Sequence, residues 1–266
     1  MITILMFLAA GAVIGILAGL LGVGGGAIVV PVLLYYLASH GVAEALHMKI
    51  ALGTSFATIV MTGLSSVYAH NKKGSILWRV VGFMAIGCII GVMLGSTVVR
   101  YLSNTSLKAI FCVFLAYTAF KMLSNARHPE QQSVQQASRL RYTFFGSIVG
   151  FMSSFVGIGG GTITVPLLTK VGHTMQQAIG SSSALGVVLA LSGAFFAILN
   201  GWHQPMLPAH SLGYVYLPAF VGISIASMLF APLGAKLVYI LPTKRIRQIF
   251  AVFLLAVLID LLVHLF

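Results

Sequence analysis

The stretch "LAGLLGVGGGAIVVPVLLYY" (residues 17–36) sets Gly22, Gly24, Gly25 and Gly26 within five positions of a strongly apolar run. It recurs as "MSSFVGIGGGTITVPLLTKV" (152–171), where Gly157, Gly159, Gly160, Gly161 and Pro166 align with the four glycines and Pro31. Each glycine inside a helix costs about 1 kcal/mol relative to alanine. Doing this four times over, and then repeating it, asks for a reason other than packing alone.

Two readings of the cluster fail. "GVGGGA" formally satisfies a dinucleotide-binding G-x-G-x-x-A, with Glu44 about 20 residues on where a ribose-binding acid would stand. The preceding apolar run is too long for one strand, however, and the second copy has no acid near residue 180. No lysine follows the glycines, which also excludes a Walker loop. Close helix approach, as in G-x-x-x-G contacts, suits Gly15 and Gly19, Gly87 and Gly91, and Gly91 and Gly95. The G-x-G-G-G cluster instead spreads its small residues around more than one turn. A deliberate helix break remains. Glycine permits backbone angles that other residues avoid, and a break after Gly26 starts a new helix at Ala27. Its free N–H groups and positive dipole end then form an anion site.

Composition places these breaks in a membrane. Of 266 residues 59% are hydrophobic and 7% charged, with a mean hydropathy of +1.05. Apolar runs of near-spanning length recur throughout, the pattern of a polytopic membrane protein rather than a soluble one. Fifteen Lys and Arg face only Glu44, Glu130 and Asp260. The cations lie between apolar runs, where they meet anionic lipid rather than nucleic acid. Cys88 and Cys112 lie inside apolar runs without CxxC spacing and read as packing residues. The N-terminus lacks the basic region of a secretory signal and reads as retained.

The expected fold is all-α, in two pseudo-symmetric and inverted repeats, each a glycine-broken helix pair plus three transmembrane helices. The first repeat, 1–125, holds the broken helix 2–39 and helices 45–69, 79–99 and 105–124. A polar linker, 126–139, leads to the second, 140–266, with the broken helix 142–171 and helices 175–200, 212–241 and 245–266. "KIALGTSFA" (49–57) aligns with "QAIGSSSAL" (177–185), and "KAIFCVFLAYTAF" (108–120) with "RQIFAVFLLAVLI" (247–259). Three matches in one order indicate duplication. Charge addresses orientation. If each broken pair crosses the membrane, the two faces carry seven and eight of the fifteen cations. If each pair dips in and returns, one face collects twelve and only Lys49, Arg100 and Lys108 lie opposite. The positive-inside rule prefers the second arrangement, with both termini outside. Residues 2–21 are long for such an arm, since 20 helical residues span roughly 30 Å.

The binding chemistry is expected from the glycines and their neighbours. Gly53-Thr54-Ser55 pairs with Gly180-Ser181-Ser182, followed by Ser183, setting small hydroxyls in apolar segments. The bland alternative is that these hydroxyls bond their own helix carbonyls. Their duplication beside the breaks favours ligand contact. Pro31 and Pro166 lie inside the following half-helices and are expected to kink them. No acid lies mid-segment, whereas a cation pathway would normally supply carboxylates. The expected ligand is therefore a small anion, bound by Gly22, Gly24, Gly25, Gly26, Thr54, Ser55, Gly157, Gly159, Gly160, Gly161, Ser181, Ser182 and Ser183. Lys49, Lys170 and His173 stand where they could guide it or simply anchor the interface. The histidines at segment ends have no metal-site spacing, and no catalytic residue, metal or cofactor is expected.

"GLLGVGGGAIVVPVLL" and "SFVGIGGGTITVPLLT", each followed by "GTS" or "GSSS", resemble the TauE/SafE family of membrane transporters, the sulfite exporter group. The resemblance covers essentially the whole chain and reaches, residue by residue, only the glycines, the prolines and the Gly-Thr/Ser-Ser pairs. It implies a bacterial-type secondary transporter of the cytoplasmic membrane. The implied substrates are small sulfur-containing anions such as sulfite or sulfonates, moved by alternating access; proton coupling is compatible, though no residue compels it. Two rivals are an intramembrane hydrolase using Ser182 or Ser183, which needs a histidine within reach, and a non-transporting scaffold, which needs no interior polar site.

Overall fold

Helix ends fall where the sequence puts its glycines. The computed structural model describes residues 2–21, 25–124, 138–238, 240 and 242–264. Gly22, Gly24 and residues 126–137 of the linker lie outside them. The described residues form α1 (Ile2–Leu21), α2 (Gly26–Ser39), α3 (Glu44–Asn71), α4 (Trp78–Tyr101), α5 (Asn104–Ser124), α6 (Arg139–Val156), α7 (Gly161–Lys170), α8 (Met175–Gly201), α9 (Leu217–Leu237) and α10 (Thr243–His264). A two-stranded hairpin, β1 (Ser211–Leu212) and β2 (Val215–Tyr216), precedes α9. The chain is an all-α membrane protein: α3, α4, α8 and α9 are each long and apolar enough to cross a bilayer.

Both glycine clusters end one helix and begin another. Gly25 (φ 78°) and Gly160 (φ 73°) are the N-caps of α2 and α7, and Gly157 (φ 66°) is the C-cap of α6; all three are left-handed, a conformation glycine adopts without a Cβ penalty. Each break begins its new helix one residue earlier than expected, because the left-handed glycine supplies the cap itself. After each break the chain folds back. Gly25 packs on the Ile14 side chain and Gly160 on that of Val149, each eleven residues earlier. Further out, the Phe7 and Tyr36 rings lie 5.0 Å apart. The 20-residue α1 is nonetheless one unbroken helix, matched by a return of only 14 residues in α2.

Partners are exchanged between the halves. α1 packs on α9 and α6 on α4, both through glycine. Gly11, Gly15 and Gly19 meet the carbonyls of Ile223, Ser227 and Ala231, so α1 and α9 run parallel. Gly87 and Gly91 meet those of Thr143 and Ser147, while Gly146 and Gly150 meet those of Met84 and Cys88. These are the close backbone contacts that small residues allow between membrane helices. At the centre α3 and α8 run antiparallel: Gly53 stands against Ala197, Phe56 against Gly193, Gly63 against Val187, and Ser66 donates to Ser183.

One expected helix is shorter than its apolar run. The segment read as helical from residue 212 begins at Leu217, because "SLGYVY" forms the hairpin, pairing Ser211 with Tyr216 and Leu212 with Val215. Gly213 turns it with φ 54°, and any Cβ there would strike the backbone of Ile198.

The seams set a stability test. Gly91→Leu drives a side chain into the Ser147 backbone and should cost at least the roughly 1–3 kcal/mol of an overpacked core. Gly82 lies on the same helix with nothing within 4 Å of its absent Cβ, so Gly82→Ala should be neutral or slightly stabilising. Thermal unfolding in detergent separates the two outcomes.

Candidate functional site

The two breaks meet. Gly26, the first residue of α2, is pressed against the carbonyl of Gly157, the last residue before the second break. Ser55 of α3 donates to that same carbonyl at 2.6 Å. An α6 carbonyl freed by the break is thus satisfied across the halves, which a hydrocarbon environment requires. Leu52 and Val30 close around Gly157. On the far side of the break, Gly159 lends its carbonyl to the space left by the missing Cβ of Gly186. Pro31 and Pro166 lie within α2 and α7 and leave the carbonyls of Ala27 and Thr162 without a helical donor.

The Gly-Thr/Ser pairs do a job that spacing alone does not reveal. Gly53 admits the carbonyl of Tyr214, and Thr54 Oγ1 accepts from Tyr216 N at 2.9 Å. Reciprocally, Gly180 admits the carbonyl of Ser75, and Ser181 Oγ accepts from Leu77 N at 2.9 Å. Tyr216 and Leu77 are the N-caps of α9 and α4. Each pair therefore docks the connection leading into the outer helix of the opposite pairing: glycine allows the approach and the hydroxyl takes the N–H. Ser182 is fully buried; Ser183 donates to Ile179 O and accepts from Ser66.

A cavity of about 30 Å³ lies beside these elements, lined by residues of α3, α4, α6 and α8 with Tyr214. Lys49, Arg100 and Asn200 contribute its charged and amide groups, Ser96 and Ser154 its hydroxyls, and Leu52, Gly53 and Phe56 its α3 wall. None of the lining residues is acidic. Lys49 Nζ donates to Arg100 O at 3.0 Å, fixing the ammonium on the negative end of the α4 dipole. Leu52 ties the cavity to the second break, since it also packs against Gly157. Of the expected site residues none lines this cavity, although Gly53 adjoins Thr54. Lys49 was anticipated as an anion guide. Arg100, Ser96, Ser154, Asn200 and Tyr214 were not singled out, and the excess of charge on an otherwise cation-poor face was the one available signal for Arg100.

The other two guide candidates stand elsewhere. Lys170 is an exposed residue at the end of α7. His173 lies in the α7–α8 connection, its Nε2 without a hydrogen-bond partner among the described residues, and burial pushes its pKa down.

Fold-back helix pairs, exchanged glycine seams and a cation-lined cavity define a multi-pass membrane protein built around an interior polar site. Residues 7–261 match the family model described as sulfite exporter TauE/SafE; the chain belongs to that family. It is 41% identical over 97% of both chains to a probable membrane transporter protein of Haemophilus influenzae. A probable membrane transporter protein of Methanocaldococcus jannaschii is 27% identical over 89% of this chain and 87% of its own. No solved structure matches. The chain is accordingly a membrane transporter and not an enzyme.

The docking hydroxyls are testable directly. Ser181→Ala and Thr54→Val each strip the acceptor from a buried N–H and should destabilise by about 1–3 kcal/mol. Faster amide hydrogen exchange at Leu77 in the first variant and at Tyr216 in the second is the specific readout.

Proposed function

We propose that the chain carries a small, sulfur-containing oxyanion across the cytoplasmic membrane by alternating access, with the anion bound where the two half-helix N-termini converge. The observation that carries this reading is the acid-free cavity holding Lys49 and Arg100 beside the Gly157 break. The family description, sulfite exporter, supports the substrate class. In this reading Ser55 acts chiefly by fixing the backbone at the second break, and Thr54 and Ser181 by fixing the connections into α9 and α4.

The halves are taken as inverted repeats. The antiparallel α3 and α8, the fold-back at both glycine clusters and the reciprocal docking of 214–216 and 75–77 support that reading. With twelve cations inside, the mouth at Lys49 and Arg100 faces out. The moving bodies are then the exchanged pairs, α1 with α9 and α6 with α4, sliding against the α3–α8 core. Their backbones touch without intervening side chains, so each pair moves as one.

Flux into proteoliposomes, scored over sulfite, thiosulfate, sulfonates, carboxylates and chloride, tests the proposal. Lys49→Ala and Arg100→Ala should each raise the KM for the transported anion about tenfold, the equivalent of ~1.4 kcal/mol. Lys108 shares the face but is ion-paired to Glu44 at 3.1 Å, and Lys108→Ala should change KM by less than about twofold. Gly160→Leu, which forces a side chain onto a left-handed residue against Leu189, should abolish flux while leaving membrane insertion intact. Equal KM values for all three alanine variants would sink the assignment of the cavity.

A further inference from the structure

The glycine repeat conceals one difference between the half-helices. α2 opens Gly26-Ala27-Ile28-Val29, whereas α7 opens Gly161-Thr162-Ile163-Thr164. Two apolar side chains in the first half become two hydroxyls in the second. Thr164 is 1% exposed, and the Oγ1 atoms of Thr162 and Thr164 are both buried with no hydrogen-bond partner among the described residues.

Among the hydroxyls of the described residues, only those of Ser211 and Ser224 share this state with them. Threonine in a helix normally returns its hydroxyl to a carbonyl three or four residues back. Thr58 and Thr62 do so, as does Thr169 at the far end of α7 itself. Leaving a buried hydroxyl unbonded is costly, and here it happens twice within one turn. Helix Cα–Cβ bonds tilt toward the N-terminus, so the Thr164 hydroxyl lies over the Gly160–Gly161 turn. That turn carries N–H groups with no intrahelical acceptor and the positive end of the dipole. Around Gly160 stand the side chains of Leu189 and Val149, with Ser153 Oγ 3.6 Å from the place of its missing Cβ. The unpartnered Thr164 hydroxyl and the α7 terminus thus share a largely apolar surround.

We infer that the transported oxyanion is held asymmetrically, at the N-terminus of α7, with Thr164 donating its hydroxyl alongside the free N–H groups of the first turn. The inference rests on the transporter reading above. α2 contributes only a close wall through Gly26, because Ala27 and Val29 offer nothing to donate. A directional hydroxyl beside amides at one helix end suits an anion with several acceptor oxygens better than a spherical halide.

The test uses the full-length protein, with sulfite and methanesulfonate as probes and chloride as the control. Thr164→Val conserves shape and removes the donor; Thr164→Ser restores it. Thr164→Val should raise both the dissociation constant and the KM for sulfite about tenfold or more, with Thr164→Ser recovering most of the loss. The melting temperature of the unliganded Thr164→Val protein should stay level or rise, since an unsatisfied hydroxyl has been removed. If Thr164→Val does not assemble, Thr164→Ala carries the same comparison. Wild-type affinity and KM in the donor-free variant would overturn the inference while leaving the transporter reading in place. A lower unliganded melting temperature with unchanged affinity would likewise overturn it, by assigning the hydroxyl to folding. Absence of binding and flux for every anion in the wild-type protein would overturn both.

Discussion

The Gly157 carbonyl is the point on which this architecture turns. A helix that stops within hydrocarbon leaves carbonyls and amides that no water can satisfy, so the break survives only if protein supplies the partners. Ser55, 102 residues earlier in the chain, supplies one at 2.6 Å, and Gly26 lets the other broken segment come close enough to bury the carbonyl. A side chain at residue 26 would hold the breaks apart. With the breaks apart, Leu52 would lose its contact with Gly157.

The same economy recurs at the connections. Thr54 and Ser181 each accept one N–H from the segment entering an outer helix, and a glycine immediately before each lets that segment in. Because the accepting residue and the docked segment belong to opposite halves, neither half is a self-contained body. The glycine seams of α1 on α9 and α6 on α4 reinforce the exchange. Parallel helices whose backbones touch through Gly11, Gly15 and Gly19 have no side-chain layer in which to shear.

Much of this was legible in the sequence for definite reasons. Four glycines in an apolar run, made twice, are too costly to be incidental, and the charge count favours a chain that turns back there. The G-x-x-x-G spacings of residues 15–19 and 87–95 announce packing surfaces. What the surfaces meet was not legible, because their partners lie some 50 to 210 residues away and small residues carry no complementary label. The hydroxyls beside the breaks point to a polar site, but the same Thr54 can serve a ligand or a backbone, and the Tyr216 N–H that it accepts comes from 162 residues away. The hairpin at 211–216 is hidden because "SLGYVY" runs directly into the apolar helix it precedes, with Gly213 as its one turn signal. The cavity escaped for a related reason: Asn200 and Tyr214 belong to segment ends that the fold tucks inward.

Charge explains why the cavity should be occupied by an anion. In the inverted arrangement three cations occupy a face where the positive-inside rule disfavours them. Lys108 is neutralised by Glu44 at 3.1 Å. Lys49 and Arg100 have no such acid among the residues around them, and the two share one mouth. The C-terminal carbonyl that receives Lys49 Nζ carries only a partial charge, so it orients the ammonium without balancing it. Two like charges beside a low-dielectric wall raise the local potential, and field lines focus into the cavity between them. A cation approaching that mouth is repelled. An anion is attracted, and none of the residues lining the cavity carries a carboxylate to oppose it.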